Sequence, residues 1–173
     1  EKTQEELEDR LGKWGIDLWH KSQGIHQGEV SSYHEAKSIS SEHTFDENKL
    51  DIAFLKSELV RLTEKIAYEL RQDGKVAGCV AVKIRYHDFE TTSRQTTIPY
   101  SCADDEFIPA VKELFDKLYK KGEPVRLLGV RLSELTNDAI QTNLFDDVER
   151  KTDLYKAIDN VKNRFGKNLI NRA

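Results

Sequence analysis

An alternating stretch at residues 76–86 constrains the fold more than any other part of this chain. Its even positions form an apolar row interrupted at Gly78: Val76, Val80, Val82, Ile84 and Tyr86. Its odd positions begin with small side chains and end in Lys83 and Arg85. Because side chains alternate faces along a strand, this pattern predicts a β-strand with one face on a core and the other open. An open face tipped with cations suits a polyanion such as DNA.

The composition indicates a highly charged globular chain whose overall charge hides a local distribution. At 173 residues it is long enough for one well-buried domain with extra segments at its ends. The net charge of −4 argues mildly against nucleic acid, but the acidic residues concentrate in predicted helices. A local basic face, rather than the net charge, governs phosphate contact.

The sequence predicts a cytoplasmic location and no metal site. No apolar run approaches the roughly 18 residues needed to cross a membrane, and no signal peptide is visible. Neither Cys79 and Cys102 nor the five histidines have the spacing of metal ligands. Because the chain lacks methionine and begins inside a charged helical pattern, we expect it to be a piece of a longer protein.

The order of predicted elements defines an α+β fold. Strands are expected at residues 37–45, 76–86, 92–98 and 125–132, with helices at 50–71 and 104–122. This order of strand, helix, strand, strand, helix, strand predicts a four-stranded antiparallel sheet with both helices on one face. One helix at residues 3–23, opened by a capping box at Thr3 and Glu6, precedes the sheet, and an amphipathic helix at 149–165 follows it. Pro99 is expected to end the third strand.

Three motifs in this order resemble the little-finger domain of Y-family DNA polymerases, and most closely its bacterial polymerase IV branch. They are KSI followed by EHTF at residues 37–45, KIRY followed by DF at 83–89, and VRLLGVRL at 125–132. The resemblance covers residues 36–134. Residues 11–25 are similar to the end of the family's thumb domain.

The resemblance implies a division of the chain into four parts. Residues 1–25 would be the end of the thumb, 26–35 a linker, 36–134 the little-finger DNA-binding domain, and 135–173 a tail. The parent enzyme would extend primers past damaged template bases, with Mg²⁺ held in a palm domain. No palm or fingers motif occurs in these residues, so we expect no catalytic residue and no cofactor in this chain.

The residues expected to contact DNA are cations and hydroxyls near the predicted open face. Lys83, Arg85 and Arg94 can each reach a phosphate, and Arg131 lies out of register with the core row of its strand. Arg126, on the opposite face from Arg131, is expected to pair with an acidic helix residue. Hydroxyls can add neutral hydrogen bonds from Ser38, Ser40, Thr92 and Ser93. The plainer alternative is a solvated strand surface, because cations on strands also block aggregation.

A second predicted site lies in the tail. Gln141, Leu144 and Phe145 resemble the short motif by which bacterial polymerases dock on the sliding clamp. The two apolar side chains would fill a groove on the clamp, and the glutamine amide would bond at its rim. Thr142 replaces the usual leucine, which should lower the affinity. The alternative is that Leu144 and Phe145 pack on the sheet domain.

Two other functions share this order of elements. A ligand-sensing regulatory domain would pair its strands edge to edge in a dimer and would show no salt-dependent DNA binding. An RNA-binding module would need exposed aromatic residues on its central strands, where this sequence has Ala81, Lys83 and Arg85. The apolar stripe of the thumb-like helix also gives a possible contact with a second copy of the chain.

Overall fold

The computed structural model describes residues 2–26, 28, 36–137 and 148–166. The chain divides into two compact units, Glu1–Glu35 and Ala36–Ala173. Most of the predicted linker at 26–35 lies outside the described residues, as do residues 138–147 and 167–173 of the predicted tail.

The first unit contains two helices where the sequence predicted one. Helix α1 (Gln4–Leu11) begins with the expected capping box, in which Thr3 and Glu6 exchange hydrogen bonds between side chain and backbone. Gly12 then takes a positive φ of 60°, which ends α1, and α2 (Lys13–Ser22) starts directly after it. An exposed apolar set remains on this unit: Leu11, Trp14, Leu18 and Ile25.

The second unit is built on an antiparallel sheet of four strands. These are β1 (Ser38–Lys49), β2 (Val76–Tyr86), β3 (Thr91–Ser101) and β4 (Val125–Thr136), in the spatial order β1-β4-β2-β3. Strands β4 and β2 are therefore the central pair of the sheet, and the pairing between them is longer than that of either with its edge strand. The predicted α+β fold with its four-stranded sheet is confirmed.

Two helices cover one face of this sheet and complete the core. Helix α3 (Ile52–Gln72) is capped by Asp51, whose side chain accepts from the amides of Ala53 and Phe54. Helix α4 (Asp104–Leu118) begins with three acidic residues, whose negative charge stabilises the helix because the N-terminal end of its dipole is positive. The core joins both helices to the apolar row of β2 through fully buried side chains that include Leu59, Ile66, Phe107, Phe115, Val82 and Ile84.

Strand β3 differs from its prediction because it continues through Pro99 to Ser101, so the expectation that Pro99 ends it is wrong. Proline removes a ladder donor, and β3 tolerates this loss because it is an edge strand facing the irregular register between Ala77 and Cys79. That irregularity also shifts the alternation in β2. Ala77, rather than Val76, therefore lies in the core.

The last helix, α5 (Val148–Phe165), packs against the helices of the second unit. Arg71 on α3 joins it to α4: the guanidinium donates to Asp159 at 2.7 Å, to Asp104 at 2.7 Å and to the carbonyl of Cys102 at 2.8 Å. Burial alone would lower the pKa of Arg71, but the bonds to Asp159 and Asp104 raise it, so the guanidinium stays charged. Tyr155 of α5 lies under the same guanidinium at 4.7 Å.

Candidate nucleic-acid interface

The face of the sheet opposite α3 and α4 consists of four rows of side chains that cross all four strands. Residues paired across antiparallel strands point to the same side, so the register defines each row. We call this surface the open face. From one end to the other, its rows are Ser38, Ser133, Cys79 and Thr97; Ser40, Arg131, Ala81 and Gln95; Glu42, Gly129, Lys83 and Ser93; Thr44, Leu127, Arg85 and Thr91.

Three successive rows carry one cation each on the central strands. Arg131 lies on β4, and Lys83 and Arg85 lie one row and two rows further along on β2. Neighbouring rows are separated by two residues of a strand, or about 6.7 Å. Lys83 and Arg85 share β2 and follow this spacing directly, whereas Arg131 lies one row away on the neighbouring strand, so the three cations form a cluster that crosses the two central strands.

Each of these cations has a polar neighbour on the open face. Arg85 donates to the hydroxyl of Thr91 at 2.9 Å, and Arg131 donates to the side-chain oxygen of Gln95 at 3.4 Å. Both contacts are between neutral acceptors and exposed cations, so they orient the guanidinium groups without neutralising them. Lys83 differs because its ammonium forms an ion pair with Glu42 at 2.8 Å.

That ion pair crosses an intervening strand. Glu42 lies on β1 and Lys83 on β2, and β4 runs between them with Gly129 at the paired position. A Cβ atom at Gly129 would lie 2.9 Å from Cγ of Glu42, which is closer than real Cβ contacts. The missing side chain at Gly129 therefore gives Glu42 the space to lie across β4 and reach Lys83.

A shallow groove of about 570 Å³ runs over the centre of the open face. Its lining includes the residues of the two middle rows together with Ser38, Val82, Arg94 and Val130. Besides the acid Glu42, the groove thus offers charged donors and serine hydroxyls, groups that can bond phosphate oxygens.

The register divides the predicted DNA-contacting residues into two groups. Lys83, Arg85, Arg131, Ser38, Ser40 and Ser93 lie on the open face, as the alternation indicated. Arg94 pairs with the core residue Val82, and Thr92 pairs with the core residue Ile84, so both lie on the helix side of β3. Arg94 nevertheless lies among the residues that line the groove, and the predicted DNA contacts of Arg94 and Thr92 stay predictions. Arg94 remains exposed because β3 is an edge strand.

Arg126 also differs from its prediction. The register between β2 and β4 shifts between Arg85 and Tyr86, which leaves Arg126 out of the pairing. Its guanidinium lies 4.8 Å from the centre of the Phe89 ring, in the turn between β2 and β3, rather than beside a helix carboxylate. Phe89 is 63% exposed and has a positive φ of 68°.

Two kinds of site find no support in the described part of the chain. Within residues 2–26, 28, 36–137 and 148–166, no group of three or more histidine, cysteine, aspartate or glutamate side chains can hold a metal ion. No helix among those same residues has the length and apolarity required to cross a membrane.

Comparison with known proteins decides the family. Residues 36–144 match the model of the impB/mucB/samB family C-terminal domain. The chain belongs to this family. The matched region contains all four strands, α3 and α4, and therefore the whole open face.

Curated relatives of this impB/mucB/samB chain are named DNA polymerase IV. The relative from Methanoculleus marisnigri is 36% identical over 83% of this chain and 40% of its own length. That from Streptococcus pneumoniae serotype 4 is 38% identical over 73% of this chain and 36% of its own. The relative from Desulfatibacillum aliphaticivorans is 34% identical over 99% of this chain and 45% of its own. The prediction of a Y-family, DNA polymerase IV-like chain is confirmed, and the chain spans less than half the length of these relatives.

Sequence reasoning missed one charged member of the open face in this impB/mucB/samB domain. Alternation along β1 places Glu42 on the same side as Ser38 and Ser40, so the strand pattern alone would have found it. Gln95 and Thr91 were missed for another reason, because only the pairing of β3 with β2 gives their position. The predicted clamp-binding residues Gln141, Leu144 and Phe145 lie outside the described residues.

Proposed function

We propose that this chain is the DNA-gripping region of a translesion DNA polymerase, and that its open face holds the backbone of the primer–template duplex. The observation that carries the proposal is the placement of Lys83, Arg85 and Arg131 in successive rows on the side of the sheet away from the helices. Cations grouped on one face can contact the phosphates of a nucleic-acid backbone without reading its bases.

Binding of this kind is indifferent to sequence, as a polymerase requires. The open face offers ammonium, guanidinium and hydroxyl donors, all of which bond phosphate oxygens. It has no aromatic side chain in any of its four rows, which disfavours the stacking of single-stranded RNA bases. Arg94, at the edge strand, stays a predicted contact for a backbone that passes around β3.

We also propose an activity for the whole protein, based on the name of its relatives. The relatives' name, DNA polymerase IV, supports a nucleotidyltransferase that adds deoxynucleotides to a primer opposite damaged template. Its Mg²⁺ ions would act in the catalytic palm domain. In that protein the open face would bind the duplex next to an active site that is open enough to accept a damaged template base.

Two further partners complete the proposal. The segment with Gln141, Leu144 and Phe145 would tether the polymerase to the sliding clamp, which keeps it near the primer end. A second copy of the chain would bind through the exposed side chains of the first unit, which include Trp14 at 79% exposure. Sedimentation velocity across protein concentration tests that self-association, with Trp14→Ala expected to weaken it.

Fluorescence anisotropy of a labelled primer–template across salt concentration tests the DNA-binding function. If all three cations each neutralise one phosphate, the slope of log affinity against log salt is at most about −2.7. The Lys83→Ala/Arg85→Ala variant should lower the magnitude of the slope by about 1.8, because two phosphate contacts are lost. Lys112→Ala, which removes a charge from the exposed surface of α4, should leave the slope unchanged.

An unchanged slope in Lys83→Ala/Arg85→Ala, or binding of the parent chain that does not respond to salt, would remove the open face from the interface. If the chain shows no salt-dependent DNA binding and instead dimerises when a small ligand is added, the ligand-sensing alternative would be favoured.

A further inference from the structure

The open face contains one acid, and it lies among the cations. Glu42 is in the same row as Lys83 and Ser93, next to the row of Arg131 on one side and that of Arg85 on the other. Its carboxylate lies 2.8 Å from the Lys83 ammonium. A phosphate that approaches Lys83 therefore meets a carboxylate already bound to the same cation.

Stabilisation of the fold does not explain this ion pair. The Lys83 and Glu42 side chains are 33% and 41% exposed, and pairs of such exposure contribute little to folding free energy. The pair also needs a glycine in the middle of a central strand. Glycine is unfavourable there because it loses more conformational entropy on folding than other residues and has no side chain to pack. Gly129 and Glu42 together keep an acid at the centre of a cationic surface.

We propose that Glu42 is an internal competitor for phosphate that sets how tightly the open face holds DNA. This inference rests on the proposed DNA-binding function and concerns the same site. In the free protein Glu42 neutralises Lys83. When DNA binds, Lys83 either leaves Glu42 or shares itself between the carboxylate and a phosphate, and both arrangements weaken the contact.

The competitor has a measurable effect on the salt dependence. With Lys83 neutralised by Glu42, the open face acts as two net charges, and the slope should be about −1.8 instead of −2.7. Removing the Glu42 carboxylate makes the positive charge of Lys83 available to DNA again. The affinity should rise by about two- to five-fold at 0.1 M salt, the range expected for one half-exposed ion pair.

Glu42→Gln is the decisive variant because the amide keeps the shape of the side chain and removes only its charge. We expect the anisotropy titration with the labelled primer–template to give tighter binding and a slope steeper by about 0.9 than that of the parent chain. Glu47→Gln is the matched control. It makes the same change of charge on the same strand, at an exposed residue five positions further along and beyond the Debye length of about 10 Å at 0.1 M salt.

A second variant checks that the effect acts at the Lys83 row. Glu42→Gln/Lys83→Ala removes one charge of each sign and should restore the slope of the parent chain, about −1.8. The inference is overturned if Glu42→Gln and Glu47→Gln bind alike while Lys83→Ala/Arg85→Ala still loses salt dependence. If none of the chains binds DNA in a salt-dependent way, the DNA-binding function itself fails, which is a separate outcome.

Discussion

At the scale of single residues, Glu58 is a buried carboxylate with two defined partners. It is 7% exposed on α3, and its carboxylate accepts from Arg61 of the same helix and bonds the ring of His43 on β1. The hydrogen bond from Arg61 lowers the pKa of Glu58, burial opposes this, and the bond with His43 lowers the pKa further. The charged form of Glu58 thus joins α3 to the edge strand β1.

Glu58→Gln should destabilise the domain in a pH-dependent way. Because the folded-state pKa of Glu58 is depressed, its stabilisation is present above the unfolded-state pKa of about 4.3 and is lost as the pH falls through the folded-state value. We expect the variant to lose about 1.5–3 kcal/mol of unfolding free energy at pH 7, the range for a hydrogen bond to a charged group. Urea unfolding at pH 7 and pH 3 measures this. An equal loss at both pH values would contradict it.

Individual residues were predictable from the sequence where strand alternation alone fixes a side. Alternation placed Lys83, Arg85 and Arg131 correctly, and it contains the signal for Glu42. The side of Arg94 could not be predicted because it depends on which residue of β2 it pairs with, and a hairpin register is not visible in composition. The stacking of Arg126 on Phe89 follows from a local register shift that no periodicity reveals.

At the scale of elements, Arg71 is the contact that joins three helices. Its side chain and those of Asp104 and Asp159 are 6–8% exposed, so the cluster is almost fully buried. Burial and a hydrogen bond to Asp105 also raise the pKa of Tyr155 on α5 to about 12, which keeps its hydroxyl neutral and able to donate. Helix α5 is therefore attached to α3 and α4 through these polar groups.

Arg71→Ala should cost about 3–5 kcal/mol of unfolding free energy, since it leaves two buried carboxylates without their shared cation. Urea unfolding, followed by hydrogen exchange of the α5 amides, measures the loss and shows whether α5 opens first. The matched comparison is Lys56→Ala, which breaks the exposed ion pair between Lys56 on α3 and Asp116 on α4. That variant should cost about 0–1 kcal/mol. Similar losses of unfolding free energy in the two variants would contradict the expectation that burial makes the Arg71 cluster more stabilising than an exposed ion pair.

Elements with strong periodicity were predictable, whereas local breaks in the backbone and the attachment of α5 were not. The apolar rows of β2 and α3 gave both elements and the sheet with its two helices. The break at Gly12 and the passage of β3 through Pro99 were missed, because each depends on a backbone conformation that neighbouring strands or turns decide. The attachment of α5 was left open since an amphipathic pattern indicates a covered face but does not name what covers it.

For the whole molecule, the proposed clamp tether is separable from the proposed DNA grip. Leu144→Ala/Phe145→Ala should abolish capture of the chain by an immobilised bacterial sliding clamp, because both groove-filling side chains are removed. The salt-dependent anisotropy of the primer–template should stay unchanged, since the open face is made by β1 to β4 alone.

Leu154→Ala is the control for that experiment, because Leu154 is a 58% exposed leucine of α5 outside the predicted motif. Capture of this control together with loss of the double variant supports the tether. Undiminished capture of Leu144→Ala/Phe145→Ala would assign the clamp contact to another part of the chain.

The contact of the three cations with phosphates alone has a consequence for movement. In the proposed mode of binding, Arg131, Lys83 and Arg85 hold a backbone whose phosphates repeat at every nucleotide. After the duplex advances by one nucleotide, each cation meets the next phosphate in the position that the previous one left. Successive registers are then equal in free energy, so the domain favours no particular stopping point and lets the duplex step through while remaining attached.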